Sequence, residues 1–391
     1  MTSPPSPAAT STTRPPVAVS LAAFTSSVDR FGVSPLLVIL AMDFDVPLGA
    51  AVTVASVYFF TYGLSQPLWG MLSDRFGRLT IMRVALTGAL LSGISSVFAP
   101  NLMLLTSARA LTGAFFGAIV PAAITYVGDT TALRNRQSAL SDLMAAIAVG
   151  TALATAVAGI LGQAFSWRMV FALSATLALA SLIPLFRLTE PTRDQRTGVL
   201  VALKLFFNEK WAGFVVCLAF VEGGLVLGIL TLLAPALEAQ GVETSLAGLS
   251  VAAYGVATLV FSRLVRPITA RLTGPRVLLV GGTSLIFGLG VVAVHLSVLT
   301  VVIAALLLGG TWAFMHTGLQ SWATQVIPDA RGMLVACFAG ALFAGSAVSS
   351  AVAGTLADAG RWTVIFGTGA GLAVLLTLVA VWGLTRYEAT H

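Results

Sequence analysis

Charge is what this sequence has least of. Only 9% of its 391 residues are Asp, Glu, Lys or Arg, against about a quarter in a soluble globular domain, and 57% are hydrophobic. Such a surface cannot face water on all sides, so the solvent is lipid. Cysteine is nearly absent as well. Cys217 and Cys337 both fall inside apolar runs, which excludes a disulfide framework or a cysteine metal site and makes both read as small core residues. Phosphate-binding loops of the Walker type, metal-ligand clusters and nucleophile elbows are missing too, so neither an enzyme, an ATP-driven pump nor a cofactor is expected. The net charge of +6 is scattered through short breaks between apolar runs, where it reports membrane orientation and not nucleic-acid binding.

What the chain has in quantity is oil in regular lengths. About twelve apolar segments, each long enough to cross a ~30 Å hydrocarbon core, cover 17–42, 50–72, 79–98, 102–127, 138–162, 169–186, 211–237, 246–264, 277–294, 298–326, 333–356 and 362–384. They lack the alternation of a barrel strand, so they are helices that satisfy their own backbone bonds. The first run is too long, and has too many successors, for a cleaved signal. With both termini cytoplasmic, Arg168 and Arg361 fall outside, Arg30, Arg109 and Arg263 fall within the membrane, and the other Lys and Arg lie in cytoplasmic tails and loops. Asp43, Asp45, Glu238, Glu243 and Asp358 then sit in outer loops.

The chain also repeats itself. Residues 155–171 (TAVAGILGQAFSWRMVF) align without gaps on 350–366 (SAVAGTLADAGRWTVIF), Tyr254 answers Tyr58 at nearly the same offset, and 270–276 answers 74–78. Two matches in one order indicate duplication. The expected organisation is a disordered tail over 1–16, a six-helix bundle over 17–187, a linker over 188–210 with an interfacial helix near 199–207, a second bundle over 211–385 and a tail over 386–391.

Between the second and third runs stands Gly70-Met-Leu-Ser-Asp74-Arg75-Phe-Gly77-Arg78, read as a compact charged turn. It resembles the G-x-L-[AS]-D-R-x-G-R signature of the major facilitator superfamily. The resemblance implies an all-α integral membrane protein of twelve helices in two pseudo-twofold-related bundles, with a central site near the midplane. It further implies a conformational lock: Asp74 at the N-terminus of the eleventh helix in the outward-open state, alongside Arg75, Arg78 and Asp129, the acid ending the fourth helix. Gly70 and Gly77 permit close approach and a tight reversal. Ala270 stands where the second half would need the acid, so the lock is one-sided.

Ionisable groups inside a membrane are costly, which makes them functional candidates. Asp29 lies about twelve residues into the first helix, roughly 18 Å deep. Glu222 lies about eleven residues into the seventh, its repeat partner, at a similar depth. Burial favours a carboxylate's neutral form and a nearby cation its charged form, so such groups can couple proton movement to a change of shape. Arg109 and Gly113 form R-x-x-x-G, similar to an element linked in exporters of the superfamily to proton transfer, with Thr112 in place of the usual Gln. From the fourth helix Arg109 can reach Asp29, whereas Arg30 faces about 100° away and is assigned to another helix or to snorkelling. The fifth helix keeps the small residues of the exporters' G-x-x-x-G-P-x-x-G-G pattern but has Thr155 at the proline. Tyr58 with Tyr62, and Trp312 with His316 and Gln320, share helix faces. With Phe24, Phe31 and Tyr254 they suit a cavity for lipophilic, partly aromatic or cationic compounds.

The expected function is proton-coupled export of small amphipathic compounds, similar to the drug/proton antiporters of the superfamily, by a monomer in a bacterial cell membrane. Its partners are protons, the small-molecule substrate and lipid. The alternatives are an uptake symporter, a specific exporter of a sugar, lipid or metabolite, and a membrane receptor or scaffold that does not transport.

Overall fold

The computed structural model describes residues 14–190, 205–269 and 272–390. Among the described residues twelve helices are long and apolar enough to span a membrane: α1 (Val17–Asp43), α2 (Leu48–Phe76), α3 (Arg78–Val97), α4 (Leu102–Thr130), α5 (Leu133–Ala164), α6 (Trp167–Leu185), α7 (Lys210–Glu238), α8 (Thr244–Thr269), α9 (Gly274–Val294), α10 (Val298–Val326), α11 (Arg331–Asp358) and α12 (Trp362–Thr390). An even number of crossings puts both chain ends on one side, here called the terminal end; the opposite side is the far end.

Several expectations change. The stretch from Gly70 is not a loop: α2 continues to Phe76 and α3 starts at Arg78, leaving Gly77 alone to turn the chain at φ 106°, a value that L side chains rarely adopt. A Cβ on Gly70 would meet nothing within 4 Å, so no helix approaches it closely here. Glu238 and Asp358 close α7 and α11 instead of lying in loops. Cys217 is exposed and only Cys337 is partly buried, because Cys217 falls on the outward face of α7. The interfacial helix near 199–207 lies mostly outside the described residues; 205–208 are helical.

Eight spans are continuous and four are interrupted. α1 breaks after Phe31 into a 3-10 turn over Ser34–Leu36, where Pro35 has no N–H to continue the ladder. α4 breaks at Gly117 and Ala118, while α7 and α10 widen into π turns at Gly224–Gly228 and Trp312–His316. These four helices carry Asp29, Arg109, Glu222 and His316. Interruptions of this kind recur at functional sites and in the membrane are confined to protein-lined positions.

The halves meet along α2 with α11 and α5 with α8, which touch extensively. At the far end each pair is closed by one device. Asp358, ending α11, accepts the Gly49 N–H of α2 at 2.7 Å, and Gln163, near the end of α5, accepts the Ser245 N–H of α8 at 2.8 Å. A Cβ on Gly49 would collide with the Asp358 carboxylate and the Gly354 carbonyl, so this approach requires glycine. Both acceptors satisfy orphan N–H groups of a helix start. Their spacing repeats the duplication, Asp358 standing 195 residues after Gln163 and Ser245 standing 196 after Gly49. Deeper in, Ser56 and Ser350 bond at 2.9 Å and Tyr62 packs on Phe343 with centroids 4.6 Å apart. Gly70, two turns beyond Gly63 on the same face of α2, and Gly332 at the start of α11 both have open space beside them. The halves are sealed at the far end and part toward the terminal end.

Candidate functional site

In the first half Asp29 and Arg109 form a bidentate ion pair, Nη1 to Oδ1 at 2.9 Å and Nη2 to Oδ2 at 2.8 Å, with Nη2 also reaching the Asp29 carbonyl at 3.3 Å. Both side chains are 1% exposed. The guanidinium lies over the rings of Tyr58, 4.7 Å to the centroid, and Phe171, 4.8 Å, so cation–π contacts add to the charged bonds. Gly113, one turn on, lets α4 pack against the Tyr58 carbonyl of α2. Thr112, at the Gln position of the superfamily element, bonds Ser92 of α3 at 2.9 Å and its own helix at 2.8 Å.

The second half answers with a weaker pair. Glu222 is fully buried; its Oε2 lies 3.3 Å from His316 Nδ1 and its Oε1 has no partner. His316 stacks on Trp312 at 3.7 Å between centroids and tilts toward Phe338 at 5.6 Å. The structure therefore places Trp312 and His316 beside the acid of α7, within one cluster.

Between the halves lies a narrow cavity lined by Arg30, Phe31, Ser34, Phe59, Thr155 and Tyr254, among others. Its volume of about 10 Å3 has room for about one water. Phe31 and Tyr254 face each other across it at 6.0 Å, and Ser34 donates to the Thr231 carbonyl at 2.8 Å. Phe24 is not part of this lining; its ring packs beside Gly150 on α5. Tyr58 sits under Arg109, away from the expected group. Arg30 does not snorkel: it donates to Tyr62 Oη at 3.3 Å, with Phe31, Tyr62 and Phe343 rings 4.9, 5.2 and 5.4 Å from its guanidinium carbon.

At the terminal end Arg78 joins Asp74 at 2.7 Å and Asp129 at 3.5 Å, while Arg75 lies over Phe76. The N-terminus of α3 is held by Glu190, a residue sequence reasoning missed. Its Oε1 accepts Arg78 N–H at 2.5 Å and its Oε2 accepts Leu79 and Thr80 N–H at 3.0 and 3.3 Å. Arg83 returns the favour to the end of α6, donating to the Leu185 and Leu188 carbonyls at 2.8 and 3.0 Å. The signal was present: Gly77 offers no side chain to cap α3, so an acid from elsewhere is wanted.

A relative from Escherichia coli, multidrug resistance protein D, is 30% identical over 197 residues, 49% of each chain. Puromycin resistance protein pur8 of Streptomyces alboniger is 31% identical over 217 residues, 52% of this chain and 42% of its own. A triacylglyceride transporter of Mycolicibacterium smegmatis is 28% identical over 198 residues, 48% and 35%. The chain thus spans about half or less of the curated relatives it matches. Among solved structures, a D-xylose-proton symporter superposes with a TM-score of 0.77 at 16% identity, covering 93% of this chain and 95% of that one. A nucleoside transporter gives 0.77 at 13% identity, covering 93% and 98%. At these identities the likeness is one of fold. The model of the Major Facilitator Superfamily matches residues 19–329 and 225–391; with twelve spans in two six-helix halves, the chain belongs to that superfamily of membrane transporters.

Proposed function

We propose that this chain is a proton-coupled secondary transporter that exports small amphipathic compounds by alternating access. The observation that carries this reading is the fully buried, bidentate Asp29–Arg109 pair in one half, with a second buried acid, Glu222, in the other. A proton reaching Asp29 removes the charge that Arg109 is built to meet, and the two-point grip is lost. The protonated and ionised forms therefore favour different arrangements of α1 and α4, which is the differential stabilisation that coupling requires. Glu222 and His316 form a second buried polar pair in the other half.

Sequence-based orientation puts the terminal end in the cytoplasm. The described state is then sealed toward the outside, with the halves parting toward the inside while the central seam stays narrow. The efflux relatives support export, and the bacterial relatives support a bacterial cell membrane. A lipid cargo is the second reading, favoured by the triacylglyceride transporter among the relatives.

The test is flux in proteoliposomes of the full chain under an imposed pH gradient, with anionic, cationic and neutral amphiphilic dyes. Gradient-driven accumulation that Asp29→Asn abolishes, with the variant still folded, is the expected result. Flux of every dye that ignores the gradient removes proton coupling, and accumulation in the opposite direction makes the protein an uptake symporter.

A further inference from the structure

The seam between the halves holds a cation that no acid neutralises. Arg109 is matched by Asp29, Arg78 by Asp74 and Asp129, and Arg168 by Asp43, but among the described residues Arg30 forms no ion pair. Its Nε is buried and unbonded, and its hydrogen bond to Tyr62 is long at 3.3 Å. Asp29, the preceding residue, is held by Arg109, and Glu222 meets His316 through one oxygen; neither forms an ion pair with Arg30. Tyr254, which faces the same cavity, lies within electrostatic range of both Arg30 and Glu222. A second polar atom in the lining is also unpartnered. Thr155, the residue that stands where exporters carry proline, is 3% exposed, and its hydroxyl bonds nothing.

An unmatched guanidinium in a low-dielectric interior is costly, and such groups mark substrate pathways. Aromatic faces soften that cost without removing it. A ligand bringing the missing negative charge relieves it, and the planar fork of arginine fits a carboxylate, sulfonate or phosphate. The rest of the lining, Phe31, Phe59, Leu230, Val251 and Tyr254, offers an apolar wall.

We infer that the cargo is an anionic amphiphile whose acidic head binds Arg30, with the Thr155 hydroxyl as second donor and its apolar body along the rings of the seam. This rests on the transport reading for the identity of the cavity and narrows the class of compound, setting aside the lipophilic cations that an aromatic cavity alone would admit. The seam in this state has room for about one water, so the head enters as the halves part at this level.

The experiment is equilibrium binding to the full chain in nanodiscs, with empty discs as reference. Four probes are used below their micelle concentrations: decanoate, decanol, decyltrimethylammonium and acetate. Decanoate is expected to bind saturably and about tenfold or more tighter than decanol or decyltrimethylammonium, with acetate much weaker than decanoate. Arg30→Gln should erase the preference for decanoate, Arg30→Lys should keep most of it, and Thr155→Val should weaken decanoate a few-fold. Equal binding of the cation, acetate binding as tightly as decanoate, or an unchanged preference in Arg30→Gln each overturns the proposal. If Arg30→Gln does not fold, the ranking of the four probes on the parent decides alone. Proton-driven flux of cationic dyes without selective decanoate binding sinks this inference and leaves the transport reading standing. Arg30-dependent decanoate binding with no proton-driven flux does the reverse.

Discussion

In the first six helices the buried carboxylate is gripped by two guanidinium nitrogens at 2.8 and 2.9 Å; in the second six, Glu222 meets one imidazole nitrogen at 3.3 Å and leaves Oε1 bare. The scaffold around them is shared. Both acids sit on the first helix of their half, both helices are interrupted within a few residues of the acid, and the far-end caps repeat at nearly the same spacing. Duplication kept the packing and let the chemistry diverge. One acid is held at two points and the other at one, so the two halves surround their buried carboxylates differently.

The largest effect should come from breaking the tight pair. Asp29→Ala leaves Arg109 buried without its counter-charge, which typically costs about 3–5 kcal/mol, and gradient-driven flux should vanish with it. The double change Asp29→Ala with Arg109→Leu should recover most of that loss, since the pair removed as a unit leaves no orphan charge. Denaturant unfolding in detergent checks both. Glu222→Gln should cost about 1 kcal/mol or less, because it exchanges one hydrogen bond for another. Equal losses from Asp29→Ala and Glu222→Gln would erase the asymmetry between the halves.

Much of this was legible in the sequence because lipid makes its demands plain. A span must be long and apolar, so all twelve were readable to within several residues, and embedded charge is rare enough that Asp29, Arg109 and Glu222 stood out. That Arg109 could reach Asp29 was readable from the R-x-x-x-G resemblance together with depth; the two-point geometry was not. What could not be read was how each interruption turns a side chain. The π turn over Trp312–His316 brings His316 to Glu222 with Trp312 stacked on it, and the break after Phe31 leaves Arg30 in the seam and not at a membrane surface. Glu190, Gln163 and Asp358 were missed for another reason: each caps a helix far away in sequence, and a polar residue at a span's edge looks like ordinary loop chemistry.

Smaller changes test whether the far-end caps are equivalent as well as repeated. Asp358→Ala removes a charged acceptor from the start of α2, and Gln163→Ala removes a neutral one from the start of α8. Losing a cap typically costs about 0.5–2 kcal/mol, here charged to the far-closed state alone. Asp358→Ala should therefore shift the balance between states several-fold toward far-open, and Gln163→Ala less. Spin-label distances across the far end read the shift directly; identical shifts would mean that the charge of Asp358 contributes nothing at the helix dipole.

Two glycines of one motif differ at the terminal end. Gly77 turns the chain at φ 106° and ψ 155°, a conformation left almost entirely to glycine, so Gly77→Ala should destabilise by about 1–3 kcal/mol. Gly70 lies inside α2 with open space where a Cβ would be, so Gly70→Ala should gain up to about 1 kcal/mol of helix stability in this state. In the opposite state the terminal ends of α2 and α11 must close, and a methyl group at Gly70 then has to fit between them. If Gly70→Ala raises thermal stability while slowing gradient-driven flux, this glycine serves the closed terminal end and not the fold of α2. A variant that is more stable and equally fast would show that the motif needs glycine only at the turn.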